Sequence, residues 1–84
     1  MIFINAQGHN ATSTENILDI LEILDFDSFQ KVKTKNINNC FQVIVLKNHH
    51  PVCFINFISG NARAKFIKIA QEEYEITEIM GENQ

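Results

Sequence analysis

Residues Val52–Phe57 read VCFINF, and Ile2–Asn5 read IFIN. Both stretches are short and dense in β-branched and aromatic residues, the composition of strands. Side chains alternate along a strand. Ile2 and Ile4 therefore share one face and Phe3 and Asn5 the other, while Cys53, Ile55 and Phe57 lie opposite Val52, Phe54 and Asn56. The set Ile2, Ile4, Cys53, Ile55 and Phe57 is wholly apolar, as a helix-covered face requires. The opposite set mixes rings with amides, and an asparagine buried without partners costs a few kcal/mol. That second face is expected to be wet. Aromatics on a wet sheet either mark a binding surface or pack under a loop, a C-terminal segment or a partner subunit.

Working outward, QGHN at 7–10 ends the first strand. Thr12 with Glu15 has the spacing of a capping box, and Ile17, Ile20, Leu21 and Leu24 recur at helical intervals. A helix is expected over 12–24. Ser28–Asn36 reads as an additional strand with Lys31, Lys33 and Lys35 on one face, followed by an insertion over 34–40. Cys40–Lys47 and Val52–Ser59 flank NHHP and form a hairpin. Ala62–Tyr74 is a second helix, with Ala62, Phe66, Ile69 and Ala70 on its apolar side. Over 74–80, Ile76, Thr77 and Ile79 favour a strand over continued helix.

The resulting order is β-α-β-β-α-β with one extra strand, which fits an α+β, ferredoxin-like two-layer sandwich. Such a fold lays two helices on one face of an antiparallel sheet and leaves the other face open. Eighty-four residues, 45% of them hydrophobic, make one domain over 1–84 with a single thin core.

IFIN is similar to the shorter signature of the RNA recognition motif family, with Phe3 at a base-stacking position. The longer signature of that family lays onto HPVCFINF, with Phe54 at a second stacking position. Here His50 stands for a basic residue, Pro51 for glycine and Val52 for an aromatic. The resemblance implies weak binding of single-stranded RNA across the open face. Bases would stack on Phe3 and Phe54 beside Val52, and Asn5 and Asn56 would meet base edges. Phosphates would lie near Lys31, Lys33, Lys35 or Lys47.

The charge pattern bears on that expectation. All seven basic residues fall between positions 31 and 68, while the ten acids occupy 15–27 and 72–82, for a net charge of −3. The lysine run also suits an edge strand protected against aggregation. A protein-interaction or inhibitor module, of the kind phages and mobile elements carry, is the rival expectation. It would use the same face or the acidic flanks at 19–27 and 72–82, and a homodimer burying the face is a further one.

Other chemistries find little footing. His49, His50, Cys53 and Cys40 match no zinc spacing, so no metal or other cofactor is expected. The alternation puts Cys53 in the core rather than in a nucleophile's position. His9 has no acid partner nearby in the chain, and no phosphate-binding glycine loop is present, so an enzyme is not expected. With neither a basic leader nor a long apolar span, the expected location is the cytoplasm, with no membrane contact.

Overall fold

A computed structural model describes residues 1–8, 10–24 and 26–82, with the side chain of Glu82 excepted. The elements are β1 (Ile2–Ala6), β2 (Thr12–Thr14), α1 (Leu18–Leu24), β3 (Lys31–Ile37), β4 (Cys40–Lys47), β5 (His50–Phe57), α2 (Gly60–Glu73) and β6 (Glu78–Glu82). They build an α+β domain with a six-stranded sheet in the order β2-β1-β5-β4-β3-β6. No helix among the described residues is long and apolar enough to cross a membrane.

Alternation sorts the sheet as expected. Ile2, Ile4, Cys53, Ile55 and Phe57 join Val32, Val43 and Val45 in one core with Ile20 and Leu24 of α1 and Phe66 and Ala70 of α2. Both helices thus cover the same face. Phe57 and Phe66, each no more than 1% exposed, set their rings 5.6 Å apart at its centre. Burying a side chain of this size is worth ~1.5–3 kcal/mol, so these two rings dominate a small core.

The sheet is mixed rather than antiparallel throughout, because β3 pairs with β6 in parallel. At the centre β5 lies between β1 and β4 and runs antiparallel to both. The ends depart from the expected ferredoxin-like layout. The last strand of a ferredoxin-like sheet would lie beside β1, but that edge is taken by β2. The additional strand β3 extends the other side and offers β6 its edge. Backbone N–H groups of Thr77 and Glu78 donate to the Gln30 carbonyl at 2.9 and 3.2 Å, which aligns β6 with β3.

The first helix is shorter than the capping-box spacing suggested. Thr12–Thr14 satisfies its backbone against Ile2–Ile4 instead, in keeping with its β-branched residues. Asn16 then starts the helix, its Oδ1 accepting from the Leu18 N–H at 3.0 Å. The second helix begins two residues earlier than expected. Its cap is Ser59, whose Oγ accepts from the Ala62 N–H at 3.1 Å. Ile67 rather than Ile69 packs against the core beside Phe66 and Ala70.

The apparent insertion over 34–40 is a hairpin joint. Ile37 pairs with Cys40 across a two-residue turn in which Asn38 and Asn39 have φ of 45° and 66°. Asn48 and His49, at 53° and 66°, make the same turn between Lys47 and His50. Two consecutive positive φ angles define the turn whose twist matches paired strands, and asparagine tolerates them better than most residues. Pro51 therefore lies inside β5 rather than in the turn. It pairs with Leu46 where the register shifts, so Val52 is the extra residue of a bulge. A proline supplies no N–H, and a bulge tolerates that loss.

Two further ties hold the layers together. Tyr74 Oη donates to the Phe26 carbonyl at 2.9 Å while its ring lies 4.4 Å from that of Phe29. The Arg63 guanidinium reaches from α2 to the β3–β4 hairpin, donating to Asn36 Oδ1 at 2.7 Å and to the carbonyls of Lys35 and Gln42 at 3.3 and 3.4 Å. It also lies 5.2 Å over the Phe41 ring. Its partial desolvation lowers the pKa from the ordinary arginine value.

Candidate functional site

The face of the sheet turned away from the helices carries most of the residues picked out from the sequence. Register arranges them in rows across the strands. One row runs Ser13, Phe3, Asn56, Gln42, Lys35. The next runs Asn5, Phe54, Ile44, Lys33, Met80. A third joins Pro51, Leu46, Lys31 and Glu78. Phe3 and Phe54 are diagonal neighbours, since Phe3 faces Asn56 and Asn5 faces Phe54.

The exposure of these side chains is uneven. Phe3 is 52% exposed, whereas Phe54, Ile44 and Leu46 are half-buried. Val52, expected here from strict alternation, packs against the core instead, because the bulge breaks the alternation between Pro51 and Cys53. Asn56 is not left without a partner: Gln42 Nε2 donates to its Oδ1 at 3.0 Å across the β4–β5 ladder. The amide that raised the question of burial is therefore satisfied within the face itself. Between Phe3 and β2, residues Asn5, Ala11, Thr12, Ser13 and Asn56 line a shallow groove of about 410 Å³.

The lysines are engaged by neighbours. Lys31 Nζ lies 3.5 Å from Glu78 Oε1 and 3.1 Å from His49 Nδ1. Lys33 and Lys35 are not free either. Because β6 covers β3, the lysine strand is not the sheet edge that its composition suggested. Lys47 stands apart, at the turn end of β4 opposite His50 and outside the row of Lys31, Lys33 and Lys35.

The residues weighed for other chemistry are dispersed. Cys53 is fully buried, and burial pushes its thiol up to about 12, which leaves it protonated and a poor nucleophile. Cys40 is exposed beside the Asn38–Asn39 turn, at the opposite end of β4 from His49. His9 and Asp25 lie outside the described residues, as does the side chain of Glu82.

Several residues on this face escaped the sequence reading, among them Gln42, Ile44, Leu46 and Met80. In Val43–Leu46 every residue is apolar, so alternation gives no contrast by which to assign faces. Continuous apolar runs are the mark of strands covered on both sides. That signal was present in β4, and it bears on what covers the open face.

Comparison with known protein families, with curated proteins and with solved structures returns no match for this chain.

Proposed function

We propose that this chain is a non-enzymatic protein-interaction module whose contact surface is the open face of its sheet. The observation that carries this reading is the make-up of the face. Phe54, Ile44 and Leu46 form an apolar centre, and Phe3, Asn5, Gln42, Asn56 and the three lysines lie around it. An apolar centre inside a polar rim is the usual anatomy of a protein interface. The ion pair of Lys31 with Glu78 favours this reading over a phosphate track, because it places a carboxylate beside the lysine row. We relate the fold to the ferredoxin-like sandwich through its β1-β5-β4 centre, with β6 transferred to the far edge.

A second reading, weak binding of single-stranded RNA, is supported by the diagonal pair Phe3 and Phe54. Base stacking on each ring would contribute ~1–3 kcal/mol. Lys33 and Lys35 lie on the same face to meet phosphates.

A photo-crosslinking phenylalanine analogue at position 54, in cells that express the chain, separates the two. A discrete protein adduct at 54 that is absent with the analogue at Lys68 supports the protein-contact reading. Crosslinks to RNA alone, together with amide shifts at residues 2–5 and 52–56 on adding mixed short RNA, would overturn it in favour of the second. An inhibitor role would follow only if that adduct joins a protein whose activity falls on binding.

A further inference from the structure

We infer that the occupant of the open face is a second copy of this chain, related by a two-fold axis that runs along the strands between β4 and β5. The inference rests on the reading of this face as a protein contact. Its warrant is that the rows match themselves when the strand order is reversed.

Such an axis lays β4 of one copy over β5 of the other and β3 over β1. Ile44 then meets Phe54 and Phe54 meets Ile44, twice over, at the centre. The bonded pair Gln42–Asn56 faces its own reversed copy, so amide meets amide. Lys33 lies over Asn5, and Lys35 lies over Phe3, where an ammonium can rest on a ring. Lysine thus faces lysine nowhere. The alternative axis, perpendicular to the strands, would set β3 on β3 and bring like charges together, which is unfavourable. Isologous pairing requires one patch complementary to itself, and only the first axis provides it.

The apolar run of β4 points the same way. Val43 and Val45 are consumed by the core, yet Ile44 and Leu46, which alternate with them, are also apolar and only half-buried. A second sheet packed ~10 Å away would cover them. Six strands spaced ~4.8 Å apart make a face about 24 Å wide. A face this narrow makes a contact at the lower end of the sizes that specific pairs bury.

Sedimentation equilibrium of the whole chain, from low micromolar to millimolar concentration, tests the inference. A monomer–dimer equilibrium is expected. Phe54→Ala and Ile44→Asp should weaken it by roughly thirtyfold or more, as loss of a central anchor does. Far-UV circular dichroism should stay unchanged in both, and Lys68→Ala should leave association as it was.

Orientation is read in a Cys40→Ser background with a bifunctional thiol reagent spanning ~10 Å, the distance between packed sheets. Asn5→Cys mixed with Lys33→Cys should crosslink, and neither variant alone should. Crosslinking of Lys33→Cys with itself would refute the axis, and a monomer at every concentration would refute the inference. In that last case a foreign protein captured at position 54 would leave the contact surface standing. No capture of any protein would remove both.

Discussion

Phe57 and Phe3 lie on adjacent strands, on opposite faces, and substituting each by a smaller residue measures how different those faces are. Phe57 is 1% exposed with its ring against Phe66, and its replacement by alanine would leave a cavity in the hydrophobic core. Such losses run ~3–5 kcal/mol. A chain of this length has a total stability of about 4–13 kcal/mol. Phe57→Ala therefore comes close to unfolding it, and Phe57→Leu, at about 1–2 kcal/mol, is the safer probe. Phe3 keeps 52% of its surface in water, so Phe3→Ala should cost about 1 kcal/mol or less. Urea unfolding followed by far-UV circular dichroism suits a chain without tryptophan. It is best done at low concentration, where any self-association is negligible. Phe57→Leu should lower the midpoint more than Phe3→Ala, with unchanged slopes. Equal losses, or a larger loss for Phe3, would mean that the wet face is a second core and that the proposed contact surface does not exist.

Four more expectations follow from particular features. At neutral pH a thiol reagent should titrate Cys40 alone in the folded chain and both cysteines after denaturation. Because the Cys53 pKa is raised from 9.0 to about 12, the unfolded chain loses that proton first as pH rises. Stability is thus fully present below pH 9.0 and should decline above it by about 1.4 kcal/mol per unit until about 12, a slope that Cys53→Ala should remove. Arg63→Met should cost about 1–3 kcal/mol, with faster amide exchange at the joined ends of β3 and β4, because three hydrogen bonds to that hairpin are lost. Asn39→Gly should raise the urea midpoint by up to about 1 kcal/mol in stability, since glycine suits the second position of this turn better. Unchanged or lower stability in that variant would count against the turn type.

What the sequence revealed was the sorting of side chains within each strand. Phe3, Asn5, Phe54 and Asn56 could be assigned to one face because apolar and polar residues alternate there. Val43–Leu46 could not, because it has no polar residue to mark a side. The order of strands was harder to read, since it depends on which edges remain open once the hairpins have formed. Thr12–Thr14 carries a genuine capping pattern with Glu15, and pairing with β1 overrode it. The place of β6 was illegible for the same reason. Nothing local to Glu78–Glu82 distinguishes the edge of β1 from that of β3, and the choice is made by β2 having filled the first. The two-residue turns could have been inferred from Asn38–Asn39 and Asn48–His49, had their asparagines been read as markers of positive φ rather than as loop.

The parallel seam between β3 and β6 has a consequence for the chain while it is being made. Strands β3, β4 and β5 are joined by two-residue turns and can zip together as each emerges, whereas Thr77 bonds Gln30 across 47 positions. During that interval β3 is a bare border, open to any other extended strand nearby. Lys31, Lys33 and Lys35 would then guard a nascent flank that the finished molecule no longer has.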